Sequence, residues 1–360
     1  MITERERQLL GWIEENPLIS QQELADRAGI TRSSVAVHIS NLMKKGFIQG
    51  KGYLLQKSPY AVVVGAVNMD IFGSPFQPLI LKDSNPGTVS LSLGGVGRNI
   101  AHNLALLDVD VKLITAFGED LYADQIIKSC RELGIDISGS LTVHGGTTST
   151  YLFITNHHGD MELAVSDMEI YRQLTPQFLA SRMEMINRAR LCIIDTNLPQ
   201  ETIEYIAQNC TVPLFADAVS TTKAAKLRPI LGQLHTLKVN RIEAQLLSGV
   251  DIHRDDALEQ AARVLLETGI QRVFISLGSS GVYYADARQS EKLPCYPAQV
   301  VNTTGAGDSF MAALAWAYLQ EYDLTDSAKA GLAASSICIA SKATISEAIS
   351  STQLQTIIHQ

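Results

Sequence analysis

At residues 302–310 the chain reads NTTGAGDSF. A single carboxylate, Asp308, follows directly on the small-residue turn Gly305, Ala306, Gly307, and an apolar, Ala-rich run of helical length begins behind it. Glycines let backbone amides converge on one point, and a helix N-terminus adds partial positive charge. Such a place stabilises an anion, and an adjacent carboxylate can accept a proton from a hydroxyl. Together these parts suit phosphoryl transfer. Asp308 would deprotonate the acceptor, and the amides of 305–307 would receive charge on the transferred group. The simpler use of such an Asp is as a helix cap, and residue types alone leave both open.

Further polar residues stand just after apolar runs of strand length. AVVVGAV leads into Asn68 and Asp70, LFADA carries Asp217, and TLKVN ends in Asn240 with Glu243 three residues on. VFISLG ends in Gly278, with Gly281 close behind, and LGGVGRN at 93–99 precedes the helical pattern IAHNLALL. In open α/β sheets, ligands bind beyond the carboxyl ends of the strands. There is no GxxxxGK[ST], and GGVGRN lacks the last Gly of a GxGxxG fingerprint.

The elements that must position these residues follow from the spacing. The runs AVVVGAV, KLITAFG, LCIID, LFADA, TLKVN and VFISLG alternate with helical patterns at 98–107, 121–133, 201–209 and 255–268. This rhythm predicts a mainly parallel sheet with helices on both faces. Residues 71–93 and 143–166 break it with turns and alternating strands, which predicts a small separate sheet covering the site as a lid.

Five motifs in order resemble the ribokinase-like, or phosphofructokinase-B type, carbohydrate kinases over roughly residues 60–345. NTTGAGDSF resembles that family's C-terminal signature, and GGVGRN its N-terminal signature through Gly94, Gly95, Gly97 and Asn99. Asn68 and Asp70 match its hydroxyl-binding pair, Asn240 and Glu243 its NxxE motif, and SLGSSGV its nucleotide loop. The resemblance implies a Rossmann-like core with a β lid, ATP and Mg²⁺, and transfer to a primary hydroxyl of a sugar or nucleoside. It makes Asp308 the general base and Gly305, Ala306 and Gly307 the anion hole. Asn68, Asp70 and the 94–99 signature would bind the acceptor. Asn240, Glu243, Ser276, Gly278, Gly281 and Thr304 would serve ATP and Mg²⁺, with Glu243 acting on the metal indirectly. Asn302 stands where most members carry Asp, beside a monovalent-cation loop, which leaves activation by K⁺ open. Within the family, DSNPGTVSLSLGGVGRNIAHNLALL, TSTYL, AVSDMEI and HTLKVNRIEAQLLSG look most like pseudouridine kinases. That ranks pseudouridine first as acceptor, another nucleoside second and a pentose third.

The N-terminal end reads differently. Residues 1–57 carry eight Lys/Arg and six Asp/Glu, against 21 and 31 in the rest, and no acid occurs between Arg27 and Met69. The shift predicts a separate module at 1–56, with the kinase-like domain at 60–360 and a boundary near Gln56 to Pro59. Leu9, Leu10, Trp12 and Ile13 predict one helix. Ser20 and Glu23, with Gly29 after them, predict a second that begins with a capping box. Thr31 caps a third, with Val35, Ile39 and Leu42 on one face. FIQGKGYLL alternates like a hairpin. The pattern resembles a bacterial winged helix-turn-helix, in which the third helix would enter the major groove. Arg32, Ser33, Ser34, Val37, His38 and Asn41 would then meet DNA, and Lys44, Lys45 and Lys51 its backbone. A docking or oligomerisation domain is the alternative. A DNA reader of two half-sites implies a homodimer.

The whole chain has 360 residues, 46% hydrophobic and 18% charged, a globular composition; its net charge of −8 gives no global attraction to nucleic acid or membrane. Five scattered cysteines without a CxxC predict free thiols rather than disulfides or a zinc site. The charged start lacks a signal sequence, and there is no apolar run of membrane-spanning length. The expectation is a cytoplasmic protein.

Overall fold

The computed structural model describes residues 2–48, 59–157, 160–254 and 256–359. The chain divides into two compact units, Met1–Pro59 and Tyr60–Gln360.

In the first unit, helices α1 (Glu4–Glu15), α2 (Gln21–Ala28) and α3 (Arg32–Lys44) pack around Leu9, Ile13, Leu24, Val35, Ile39 and Leu42. Local chemistry places their ends. Ser20 and Glu23 close a reciprocal capping box on α2, Gly29 ends it in the left-handed region, and the Thr31 side chain caps α3. A second capping box, Thr3 with Glu6, starts α1. The expected hairpin falls largely on residues outside those described, as do Lys51 and Gln56.

The second unit begins with β1 (Tyr60–Val64), β2 (Asn68–Pro75), β3 (Gly87–Gly94), α4 (Val96–Leu106), β4 (Asp110–Ile114), β5 (Ala116–Phe117) and α5 (Leu121–Glu132). Next come β6 (Leu141–Thr142), β7 (Thr150–Thr155), β8 (Met161–Asp167), α6 (Pro176–Ala180), α7 (Met183–Asn187), β9 (Leu191–Asp195), α8 (Gln200–Asn209), β10 (Leu214–Asp217) and α9 (Thr221–Ala224). The remainder is β11 (Thr236–Asn240), α10 (Arg241–Ser248), α11 (Asp256–Glu267), β12 (Arg272–Ser276), β13 (Val282–Asp286), β14 (Ser290–Leu293), α12 (Ala306–Leu319), α13 (Leu324–Ile339) and α14 (Ser351–Ile358).

Eight strands form the main sheet in the order β14-β13-β12-β11-β10-β9-β1-β4. It is parallel from β12 to β4, and the β13–β14 hairpin adds an antiparallel edge. One face packs on α4, α5, α12, α13 and α14, the other on α6 to α11, so the sheet is buried from both sides. The apolar runs of the sequence supply this core. Two of them are broken rather than continuous: AVVVGAV stops at Val64 before β2 resumes at Asn68, and KLITAFG splits at Thr115 into β4 and β5.

The two irregular regions form a separate four-stranded sheet, β3-β2-β7-β8. In register, Ser92, Asp70, Tyr151 and Ser166 stand in one row across it. The alternate row, Leu91, Ile71, Leu152 and Val165, lies on the opposite face because side chains alternate along a strand.

Candidate active site

Parallel register brings three charged residues side by side at the carboxyl ends of the central strands. Asp195 pairs with Asp217, and Asp217 with Lys238. All three are buried. Asp195 accepts from the amides of Ala66 and Asn197 at 2.7 and 2.8 Å. The Lys238 ammonium sits 3.0 Å from Asp217 Oδ2.

Two helix N-termini meet above this row. α4 begins after Gly95 and α12 after Gly305, both at positive φ, and neither helix has a side-chain cap. Within the two first turns Arg98 N donates to the Ala66 carbonyl at 3.0 Å and Ala306 N to the Thr303 carbonyl at 3.4 Å, while the amides of Gly97, Gly307 and Asp308 have no acceptor among the described residues. Gly305 also has no room for a Cβ, because the Thr344 carbonyl fills that position. Asp308 is the third residue of α12, and its carboxylate accepts from Asn99 Nδ2 of α4 at 2.8 Å. Burial pushes this carboxyl up to about 7, and the charge of Asp217 adds to the rise; the Asn99 hydrogen bond and the Lys238 ammonium hold it back. A base poised there accepts a proton near neutral pH.

The Asn68–Asp70 pair lies at the root of β2. Asn68 is buried, and its amide donates to Asp70 Oδ1. Burial raises the Asp70 carboxyl to about 6, against the Asn68 hydrogen bond and the charge of Arg98. Gly94 leaves the space that the Asp70 carboxylate occupies, and Gly97 packs on the Gly65 backbone just past the end of β1. Arg98, which motif reading passed over, is buried and ties the Leu93 carbonyl of the lid strand to Ser129 of α5, at 3.2 and 3.1 Å.

Asn240 and Glu243 form the capping box of α10. Glu243 N donates to Asn240 Oδ1 at 2.9 Å, and Asn240 N to Glu243 Oε2 at 2.8 Å. Glu243 is buried, and burial raises its carboxyl above the usual range. The NxxE pattern thus has a local structural role, legible in sequence as a capping signature. Ser276 ends β12, and Gly278 and Gly281 take positive φ in the turn to β13, Gly278 exposed and Gly281 buried against the Leu293 carbonyl. Thr304 N donates to Asn302 Oδ1 at 2.9 Å, and Asn302 Nδ2 donates to the Lys342 carbonyl at 3.1 Å.

Among the described residues no group of three or more His, Cys, Asp or Glu side chains could hold a metal on its own. Mg²⁺ usually enters with phosphates and waters and one or two carboxylates, and Glu243, a buried carboxylate near Lys238 and Asp217, fits that role.

A cavity of about 480 Å³ opens beside the lid row, lined by Ser166, Met168, Tyr171, Asn197, Lys223 and Lys226 among others. Lys223 Nζ donates to Asn197 Oδ1 at 2.6 Å. Burial lowers the Lys223 ammonium below its ordinary range, with Asp195 acting against the shift. Neither residue carries a motif signal; only position after β9 and β10 would have drawn attention to them.

In the first unit Arg32, Ser33, Val37 and Lys44 are exposed on α3, and Ser34, His38 and Asn41 are partly so. Lys45 departs from the expectation of a free backbone-binding cation. It bonds Glu6 Oε2 at 2.7 Å, and Glu6 is buried. A buried carboxylate needs a countercharge, and Lys45 supplies it across 39 positions of sequence.

Comparison with known proteins agrees with this fold. The pfkB family carbohydrate kinase model matches residues 58–351, and a winged helix-turn-helix DNA-binding model matches residues 2–49. The uncharacterised sugar kinase YeiI of Escherichia coli (strain K12) is 40% identical over 339 residues, 94% of each chain. The pseudouridine kinase of the same organism is 36% identical over 287 residues, 79% of this chain and 92% of its own. Among solved structures, a carbohydrate kinase from Agrobacterium tumefaciens has a TM-score of 0.74 at 27% identity, covering 84% of this chain and 97% of its own. Among the described residues no helix is long and apolar enough to cross a membrane.

Proposed function

We propose, for a chain that belongs to the pfkB family of carbohydrate kinases and carries an N-terminal winged helix-turn-helix, that the acceptor is a nucleoside, pseudouridine first, phosphorylated on its 5′-hydroxyl. The protein is an ATP-dependent sugar or nucleoside kinase. The observation that carries the finer reading is the cavity beside the Asp70 row. Asn68 and Asp70 suit ribose hydroxyls; they do not line this cavity, which meets their row at Ser166 of β8, and a base reaching Lys223 and Asn197 would fill space that a pentose leaves open. The similarity to the E. coli pseudouridine kinase supports the same ranking.

In this reading the acceptor's primary hydroxyl points at Asp308. The carboxylate, held by Asn99, removes the hydroxyl proton as the oxygen attacks the terminal phosphorus of ATP. The amides at the start of α12 receive the charge that develops on the transferred group. Asn240 and Glu243 serve the nucleotide end, with Ser276, Gly278, Gly281 and Thr304 around it. Mg²⁺ on the phosphates would spread their negative charge.

ADP release with pseudouridine, uridine, other nucleosides and ribose tests the ranking. Turnover of pseudouridine with a 5′-phosphate product is expected. Turnover of ribose alone would replace the nucleoside by a pentose. An added K⁺ series with and without Na⁺ reads the cation question that Asn302 leaves open: a rise in turnover with K⁺ marks a cation site, and K⁺-independent turnover its absence.

The domain limits, 1–56 and 60–360, and DNA binding by α3 belong to the same proposal. The exposed face of α3 and the acid-free window support it. Two copies would read two half-sites about one helical turn apart, so a dimer is expected in solution. A gel shift with the DNA upstream of the protein's own coding sequence, at low salt and with or without nucleoside, is the test. No shift would leave the module as a docking or oligomerisation domain. A regulator that senses its ligand without turnover is the competing reading, and the poised Asp308 argues against it.

A further inference from the structure

Lys238 lies in the middle of β11, between Leu237 and Val239, with 9% of its surface exposed. Desolvating an ammonium is costly unless it is paired, and a central strand gains nothing in packing from it. Among the described residues its single hydrogen-bond partner is Asp217 Oδ2, at 3.0 Å. An ammonium has three N–H donors, so two have no acceptor among the described residues.

The direction of those donors is set by Gly307. A Cβ at Gly307 would lie 2.6 Å from Lys238 Nζ. The ammonium therefore rests against the first turn of α12, one residue from Asp308. That turn is the positive end of a helix without a side-chain cap. For stability a cation belongs at the other end of a helix. Two positive features held together, with free donors on both, form a binding site for an anion.

We propose that Lys238 is a catalytic residue that donates to a non-bridging oxygen of the phosphoryl group during transfer, and that residue 307 is glycine so that the ammonium can reach it. The proposal rests on the kinase reading above. As Asp308 takes the hydroxyl proton, the acceptor oxygen forms its bond to the terminal phosphorus. The bond from that phosphorus to the bridging oxygen breaks, and ADP leaves with the electron pair. Lys238 keeps its proton throughout. Asp217 holds the ammonium charged and aimed: burial opposes the charge, but Asp217, Asp308 and Glu243 together keep its pKa above the ordinary value.

The test uses the full chain with the substitutions Lys238→Met and Lys238→Met/Asp217→Asn, since the single change leaves Asp217 buried without its partner. Turnover, the acceptor KM, the affinities for Mg·ATP and Mg·ADP, and the melting temperature are measured. Lys238→Met is expected to lose about 10²-fold or more in kcat, with the acceptor KM nearly unchanged. It should also lose any preference for Mg·ATP over Mg·ADP. The double variant should regain the melting temperature but not the turnover. Recovery of turnover in the double variant, or an active Lys238→Met beside an active wild type, would overturn the proposal alone and leave Lys238 as the counterion of Asp217. A wild type that binds neither nucleotide would overturn the kinase reading and the proposal with it.

Discussion

Asn99 Nδ2 donates to Asp308 Oδ2 at 2.8 Å, joining the first turns of α4 and α12 across 209 positions of sequence. The bond aims the carboxylate and favours its charged form, against the burial that raises it to about 7. The base works deprotonated, so kcat/KM should fall below about pH 7, by about tenfold per pH unit once well below it. Asn99→Ala removes a contact that stabilises the charge. The pKa should rise further, and the acidic limb of the pH–rate profile should move to higher pH. A limb that stays in place would detach Asn99 from the base.

Asp308→Asn keeps the shape of the side chain and removes the base. The expected loss is about 10²–10⁴ in kcat, with acceptor binding by calorimetry preserved. Turnover near wild type would reduce Asp308 to a structural residue of α12.

Asp70→Ala should weaken acceptor binding far more than ATP binding, because a site built on hydrogen bonds to hydroxyls discriminates strongly against their loss. The Asp70 carboxyl is raised to about 6. Acceptor affinity should therefore weaken as pH falls through that value and the Asp70 carboxylate becomes protonated. Titration calorimetry at several pH values reads both effects, and equal loss of acceptor and ATP affinity would make Asp70 a support of the fold.

Lys44 and Lys45 are neighbours with different expected phenotypes. Lys44→Ala should weaken binding to all DNA alike and lower the log–log salt slope by about 1, whereas Arg32→Ala with Asn41→Ala should lower sequence preference. Lys45→Ala should instead destabilise the N-terminal module. Glu6 is lowered to about 2, first by Lys45 and then by the Thr3 amide. A depressed carboxyl contributes stability above its unfolded pKa of about 4.3, and that contribution is lost as pH falls towards 2. Thermal unfolding of wild type and Lys45→Ala between pH 7 and pH 2 should converge in acid. A Lys45→Ala protein with unchanged unfolding and weaker DNA binding would return Lys45 to the DNA contacts.

What the sequence determined by itself is what depends on near neighbours. The capping box of α2, the Gly29 stop and the Thr31 cap are contacts within a few residues, so spacing alone reveals them. The apolar runs specified the buried strands, and their interruption at 71–93 and 143–166 marked the lid. The motifs at Asn68, Gly94–Asn99, Asn240 and Gly305–Asp308 were legible because each is a short local arrangement. The β13–β14 hairpin was missed: GVYYA and SEKL are short, and their antiparallel place at the sheet edge depends on pairing with β12. Tertiary structure alone decided the rest. The row Asp195, Asp217, Lys238 exists only through parallel register between three strands. The same holds for Lys45 on Glu6, Lys223 on Asn197 and Lys238 against Gly307. A charged side chain reads as solvent-facing in a sequence; whether it is buried, and which countercharge or free donor it then carries, depends on which distant segments close around it.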